Sequence, residues 1–88
     1  MADAQQRVVI IDDDDLFRES LGLNLAEEGY DVVDFPSGES ALDYLLGGEN
    51  ADAVLLDWRM PGLDGPGVLR RLRDARIQVP VIFLTMLS

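Results

Sequence analysis

Short apolar segments of this chain end in residues whose side chains carry ligating or reactive oxygen atoms. Val8–Ile11 is followed by Asp12-Asp13-Asp14-Asp15, Ala53–Leu56 by Asp57, and Val79–Leu84 by Thr85. If these segments are parallel strands of one sheet, their carboxyl ends meet at one edge, which is where such sheets bind ligands. The sequence therefore predicts a cluster of carboxylates with a hydroxyl group beside it.

A cluster of carboxylates requires positive charge nearby. Two like charges about 4 Å apart repel each other by roughly 4 kcal/mol at an effective dielectric constant near 20. Ligand sets made only of oxygen favour a hard cation such as Mg²⁺, or Mn²⁺. A metal held there would let an anionic phosphoryl donor approach a carboxylate, and aspartate can attack phosphorus as a nucleophile. The pattern is chemically coherent as a phosphoryl-accepting site.

The elements that must position these residues alternate between strands and helices. The predicted strands are Val8–Ile11, Asp31–Phe35, Ala53–Leu56 and Val79–Leu84. The predicted helices are Leu16–Glu28, a helix capped by Ser37 or Gly38, and a helix after the loop Met60–Gly65. The order β-α-β-α-β-α-β implies right-handed crossovers and a parallel sheet with helices on both faces.

The helical patterns also predict which side chains are buried. The apolar faces are Phe17, Leu21 and Leu25 in the first helix, Ala41, Leu42, Leu45 and Leu46 in the second, and Val68, Leu69 and Leu72 in the third. Other residues have simpler interpretations as caps, rim or solvated surface: Asp14 and Asp15 as caps of the first helix, Asp64 and Gly65 as turn and cap residues, Trp58 at the rim of the pocket, and Arg70, Arg71 and Arg73 as a solvated helix face.

Composition excludes several classes of function. The 88 residues suffice for one domain, and they include no cysteine, no histidine and no lysine. Disulfides, thiolate or histidine metal sites and histidine triads are therefore excluded. With a formal net charge of −10, the chain should repel nucleic acid and anionic membranes, so we expect no direct contact with either. Its apolar runs are far too short to span a bilayer, and we expect a cytoplasmic protein.

Three ordered motifs of the chain resemble one known family. Val8-Val9-Ile10-Ile11-Asp12-Asp13-Asp14, Leu55-Leu56-Asp57-Trp58-Arg59-Met60-Pro61-Gly62-Leu63-Asp64-Gly65 and Val81-Ile82-Phe83-Leu84-Thr85 resemble the CheY-like receiver domains of two-component response regulators. The resemblance implies a flavodoxin-like fold with strand order 2-1-3-4. It covers the chain from Arg7 onward.

The resemblance also assigns roles to matching positions. Asp57 would be the phosphoacceptor, and the donor would be a phosphohistidine on a sensor histidine kinase. Asp13 and Asp57 would bind Mg²⁺ directly, Asp12 would act partly through water, and the backbone carbonyl of Arg59 would complete the protein ligands. Thr85 would be the hydroxyl that reports the phosphoryl group. Such a domain is a self-phosphorylated switch between two conformations, not a turnover enzyme. In the family it commonly regulates transcription through an attached output domain.

The family pattern extends further than this sequence. It includes one more helix, a fifth strand bearing a lysine, and a last helix. We therefore interpret residues 7–88 as a receiver domain truncated after the fourth strand, with residues 1–6 as a disordered tail. Because the lysine normally contacts the phosphoryl group, we expect this form to be impaired in switching.

Two other functions remain open at this stage. The chain could be a non-signalling module that forms a homodimer or higher oligomer, including a domain-swapped one, through an exposed sheet edge or helix faces. It could also be a fragment of a haloacid-dehalogenase-like phosphatase, since Asp12 and Asp14 superficially fit the opening of that motif. Against this, Leu16 stands where a threonine or valine is expected, and no lysine is present.

Overall fold

The computed structural model describes residues 5–84. It contains seven elements: β1 Arg7–Ile11, α1 Asp15–Glu27, β2 Asp31–Phe35, α2 Gly38–Leu46, β3 Ala53–Asp57, α3 Gly65–Asp74 and β4 Val81–Leu84. Thr85 and the first four residues of the predicted tail lie outside the described residues.

The four strands form one parallel sheet in the order β2-β1-β3-β4, which confirms the predicted topology. β1 lies between β2 and β3, with Val9 opposite Val33 on one side and Val54 on the other. Two inner strands that are covered on both faces read as continuous apolar runs, which is why β1 and β3 were recognisable in the sequence. The carboxyl ends of all four strands point to the same edge.

The hydrophobic core lies between the sheet and the pair of helices α2 and α3. Val9, Ile11, Val54 and Leu56 point into it from the strands and are fully buried. The helices contribute Ala41, Leu42, Leu45, Val68 and Leu72, as their periodicity predicted. Leu69 is half-buried, whereas Leu46 is 49% exposed and lies outside the core.

Within residues 5–84, α1 is the only helix on the other face of the sheet. Ile10 and Val32 approach Gly22 of this helix, and the Ile10 Cδ1 atom lies 3.9 Å from the point that a Cβ at Gly22 would occupy. No residue of α1, all of which the structure describes, is buried; Phe17 is 38% exposed, and Leu21 and Leu25 are half-buried. The predicted burial of this apolar face was therefore too strong, because a single helix without a neighbour among the described residues cannot enclose its own apolar stripe.

Two element boundaries differ from the prediction in ways that matter for the site. β3 continues to Asp57, so that this aspartate is the last residue of an inner strand. β4 begins at Val81, not at Val79. Pro80 is the reason: it has no N–H to offer a ladder, although its carbonyl oxygen still accepts a hydrogen bond from the Val54 N–H at 2.9 Å.

Candidate functional site

Asp12 follows β1 directly and is almost completely buried, with 1% of its surface exposed. Its backbone N–H donates to the Phe35 carbonyl oxygen at 3.2 Å, which ties it to the end of β2. Its Oδ1 accepts a hydrogen bond from the Asp14 backbone N–H at 2.8 Å. Its Oδ2 is also buried but has no hydrogen-bond partner among residues 5–84. A buried carboxylate oxygen without a partner is costly, and such an atom is available to bind a cation.

Asp57 ends β3 and is 5% exposed. The start of α3 approaches it closely because Gly65 has no side chain: a Cβ there would collide with the Asp57 carbonyl oxygen and come within 3.0 Å of the Phe83 ring. The Gly65 N–H donates to the Trp58 carbonyl oxygen at 3.0 Å, and Asp64 caps α3 by accepting from the Gly67 N–H at 2.9 Å. The predicted turn and cap roles of Asp64 and Gly65 are confirmed.

Asp12, Asp13 and Asp57 come together at the carboxyl edge of the sheet. One carboxylate oxygen of each lies within 4.8 Å of the other two, and Asp13 is exposed while its two neighbours are buried. Three oxygen donors that converge in this way, open to solvent on one side, are suited to a hard divalent cation. The cluster that the strand ends predicted is therefore present in the fold.

The surroundings raise the pKa of both buried carboxyls above the usual range of aspartate. For Asp12 the main cause is burial, to which the charges of Asp13 and Asp14 add, while the hydrogen bond from the Asp14 N–H and the charge of Arg18 act in the opposite direction. For Asp57 burial is again the main cause and the charge of Asp12 comes next; the Arg59 backbone N–H lowers this pKa and Asp13 raises it. The site is destabilised by its own charge until a cation or a proton arrives.

The other predicted site residues are accounted for in part. Trp58 follows Asp57 directly in sequence and is 49% exposed, with its ring centre 4.8 Å from that of Phe83 in an edge-on arrangement; its predicted place at the rim of the pocket stays a prediction. The backbone of Arg59 adjoins the Asp57 carboxylate through its N–H; its predicted role as a carbonyl ligand stays a prediction. Thr85, the predicted switch hydroxyl, lies outside the described residues. Asp14 caps α1 by accepting from the Phe17 N–H at 3.1 Å, and Asp15 lies in its first turn.

Sequence reasoning missed Arg18, which adjoins the cluster. Its guanidinium donates to the Asp12 carbonyl oxygen at 2.7 Å and pairs with Asp15 at 2.7 Å and Asp34 at 2.8 Å. A signal was available, because a cation close to the N-terminus of a helix opposes the helix dipole and calls for a specific partner. Arg73 is exposed, as predicted for a solvated helix face, and its guanidinium also donates to the carbonyl oxygens of Ile77 and Val79.

Comparisons with known proteins place this geometry in a family. The family model described as the response regulator receiver domain matches residues 8–88. The chain belongs to the family of response regulator receiver domains. Receiver domains of this family are signalling domains rather than turnover enzymes, and the match favours the receiver interpretation over that of a phosphatase fragment.

Individual relatives agree with the family match. The chain is 43% identical over 79 residues to "Response regulator MprA" of Mycolicibacterium vanbaalenii, covering 90% of this chain and 34% of the relative. It is 42% identical over 85 residues to "Transcriptional regulatory protein CseB" of Streptomyces coelicolor, covering 97% and 35%. The crystal structure of response regulator protein TrrA from Thermotoga maritima in complex with Mg(2+)-BeF superposes with a TM-score of 0.87 at 37% identity, covering 96% of this chain and 72% of that one.

This receiver domain thus spans about a third of the length of the curated relatives that it matches. None of the helices within residues 5–84 combines the length and the apolar character that crossing a bilayer requires.

Proposed function

We propose that this receiver domain accepts a phosphoryl group from a sensor histidine kinase on Asp57, with Mg²⁺ (or Mn²⁺) held by Asp12, Asp13, Asp57 and the backbone carbonyl of Arg59. One observation carries the proposal: two buried carboxylates and an exposed one converge within 4.8 Å, and the buried Asp12 Oδ2 has no partner among the described residues. A purely structural acidic loop would leave its charges in water. Here two of them are inside the fold.

The donor set fits a magnesium ion. All three side chains offer hard oxygen atoms, and their combined negative charge is what a divalent cation compensates. The related TrrA structure was determined in complex with Mg(2+)-BeF, which supports the same ion for this chain. A bound Mg²⁺ would supply positive charge between the carboxylates and the incoming phosphoryl oxygens.

The proposed reaction transfers one phosphoryl group between two side chains. A carboxylate oxygen of Asp57 attacks the phosphorus of a phosphohistidine, an O–P bond forms, and the P–N bond to the imidazole breaks. The departing imidazole nitrogen keeps the electron pair of that bond and takes up a proton. Because Asp57 ends an inner strand and pairs with Leu84 of β4, the backbone that carries its carboxylate is held in place for attack on an incoming group.

In this proposal the product is sensed by a hydroxyl group of the chain. In this proposal Thr85, one residue beyond β4, would hydrogen-bond the phosphoryl group and shift the domain between two conformations. The sequence contains no lysine, so the family's lysine contact is not supplied by these residues. We therefore expect the 88-residue chain to accept phosphate slowly and to switch poorly. Transcriptional output, as the name of the relative CseB suggests, and a cytoplasmic location remain parts of the proposal.

The first test is a titration of the chain with MgCl₂ while the fluorescence of Trp58, the only tryptophan, is recorded. The half-exposed indole lies next to Asp57 in sequence and should respond to a charge placed in the cluster. A saturable change that Asp13→Ala abolishes supports the metal site. A parent chain that shows no response to Mg²⁺ while it remains folded contradicts the proposal.

The second test is chemical. The chain is incubated with Mg²⁺ and a small phosphodonor such as acetyl phosphate, and intact mass is measured. The proposal expects a mass gain of one phosphoryl group, which is released by hydroxylamine as an acyl phosphate should be, and which is missing from Asp57→Asn. A gain of the same size in Asp57→Asn would place the phosphoryl group elsewhere.

A second candidate function is assembly between copies of the chain. Among the described residues β4 has a neighbouring strand on one side only, and its Ile82 is 55% exposed. Edge strands with exposed apolar side chains pair readily with another chain. This candidate expects a dimer by light scattering at micromolar concentration that Ile82→Lys converts to a monomer; a parent chain that is monomeric over the same range excludes it.

A further inference from the structure

Arg18 joins three segments of the chain at the edge of the carboxylate cluster. Its Nε atom lies 2.8 Å from Asp34 at the end of β2, and one terminal nitrogen lies 2.7 Å from Asp15 in the first turn of α1. The other terminal nitrogen donates to the carbonyl oxygen of Asp12 at 2.7 Å. The Arg18 side chain is only 11% exposed, although its carboxylate partners Asp15 and Asp34 are 73% and 46% exposed, and its contact with the Asp12 carbonyl is partly buried. All three nitrogen atoms of the guanidinium are therefore committed.

The ion pairs of Arg18 differ from an ordinary surface salt bridge. The planar guanidinium makes charge-assisted hydrogen bonds in fixed directions, which a flexible ammonium group cannot reproduce. Its two carboxylate partners belong to different elements, so the guanidinium is held in one orientation when it meets the Asp12 carbonyl. A cation so near the N-terminus of a helix opposes the dipole of that helix. This position is therefore unfavourable for Arg18 unless specific contacts compensate for it.

Hydrogen bonds hold all but one of the polar atoms of Asp12, and Arg18 supplies one of these bonds. The N–H of Asp12 is held by the Phe35 carbonyl, its carbonyl oxygen by Arg18, and its Oδ1 by the Asp14 N–H. Oδ2 alone is left without a partner among the described residues, and it belongs to the carboxylate that joins Asp13 and Asp57 in the cluster. Every other polar atom of Asp12 is used to fix its direction.

We propose that Arg18 is a positioning residue of the metal centre: by clamping the Asp12 carbonyl between α1 and β2, it aims the Asp12 carboxylate at the ion. This inference rests on the proposed function, since it concerns the same site. Arg18 touches no reacting group and acts through Asp12. Partners behind a metal ligand that fix its orientation change metal affinity by about 10- to 100-fold when they are removed.

The sign of the effect separates positioning from charge. Arg18 carries a positive charge close to the cluster, so removing it should tighten Mg²⁺ binding if only electrostatics matters. If positioning dominates, removing it should weaken binding. Lysine at this position keeps the charge but not the three directed contacts, so charge alone predicts no change for Arg18→Lys.

The chain offers a matched control in Arg7. This arginine also pairs with an aspartate of β2, Asp31, and with the Tyr44 hydroxyl, but it does so at the opposite end of the sheet. Arg7→Met and Arg18→Met therefore change the net charge equally and each break an ion pair with β2. Only the second lies at the carboxylate cluster.

The experiment measures the Mg²⁺ dissociation constant from Trp58 fluorescence for the parent, Arg18→Met, Arg18→Lys, Arg7→Met and Arg7→Lys, at a temperature where circular dichroism shows all of them folded. We expect about tenfold weaker binding in Arg18→Met, a weakening of severalfold in Arg18→Lys, and parent affinity in both Arg7 variants. Arg18→Lys keeps the inference testable if Arg18→Met does not fold.

Parent affinity or tighter binding in the folded Arg18 variants overturns the inference and leaves the proposed function intact. Equal weakening in the Arg7 and Arg18 variants also overturns it, because loss of general stability would then explain the result. A parent chain without any response to Mg²⁺ overturns the proposed function, and this inference with it.

Discussion

Replacing Asp57 by asparagine should make the metal-free domain more stable, although it removes the proposed reactive group. Asparagine has nearly the same shape, so the packing of Gly65 against β3 is kept. What changes is charge: Asp57 has an oxygen within 4.8 Å of oxygens of Asp12 and Asp13. At that separation two unit charges repel each other by about 3.5 kcal/mol at an effective dielectric constant near 20.

Only part of that repulsion should appear as stability. Asp13 is exposed, and solvent and salt screen the open side of the cluster, so we expect a gain of about 1–2 kcal/mol in the free energy of unfolding. For a domain of this size that corresponds to a melting temperature higher by roughly 4–16 °C. The raised pKa of Asp57 has the same origin, since burial and the charge of Asp12 both disfavour its ionised form.

The assay is thermal unfolding followed by circular dichroism, first in EDTA and then in Mg²⁺. At about 100 times its dissociation constant, Mg²⁺ should stabilise the parent by about 2.7 kcal/mol and leave Asp57→Asn little changed, so that the order of the two melting temperatures is reversed. Asp43→Asn is the control, because it makes the same change of charge on the exposed face of α2. An Asp57→Asn protein that melts at or below the parent temperature in EDTA refutes the reasoning.

Three further predictions concern the same edge of the sheet. The folded-state pKa values of Asp12 and Asp57 are raised, so the native state binds more protons than the unfolded state between the ordinary aspartate pKa, about 3.9, and the raised values. The stability of the metal-free domain should therefore fall as pH rises through that window. The affinity for Mg²⁺ should be lost as pH falls through the same window, and titrations at stepped pH would measure this. Gly65→Ala should lower the free energy of unfolding, measured with denaturant, by about 1–3 kcal/mol. Gly22→Ala should lower it far less, because a Cβ there meets no atom nearer than 3.6 Å. Equal losses would contradict the close approach of Gly65 to Asp57. Asp14→Ala should lower the free energy of unfolding by about 1 kcal/mol, because it removes the cap of α1. An unchanged free energy would contradict this and would mean that water replaces the Asp14 carboxylate at the Phe17 N–H.

The sequence predicted the sheet and the carboxylate cluster because both follow from strong, local signals. Apolar runs identified the strands, and the rule that parallel strands end at one edge is enough to bring Asp12 and Asp57 together. The exact start of β4 was misjudged because hydropathy does not register that Pro80 lacks an N–H. The burial of α1 was overestimated because periodicity says which face is apolar but not how much of that face is covered.

The hydrogen bonds of Arg18 and Arg73 were not predicted, for a different reason. Both donate to carbonyl oxygens of residues that are near in sequence but outside their own helical ladder. Helix periodicity places an arginine on the polar face in either case, whether the side chain is free in water or committed to the backbone. Only the path of the following loop, or of the preceding one, decides between the two.

The position of Asp57 on β3 also has a consequence for the order of events in folding. The cluster draws one part from the loop after β1 and another from the end of β3, so it cannot exist in a nascent chain that has formed only β1, α1 and β2. If the cluster binds Mg²⁺ as proposed, ion binding would report the pairing of the two inner strands, which is the non-local step of assembly. Mg²⁺ should therefore lower the unfolding rate more than it raises the folding rate. The opposite result would mean that the strand pair is already formed in the transition state.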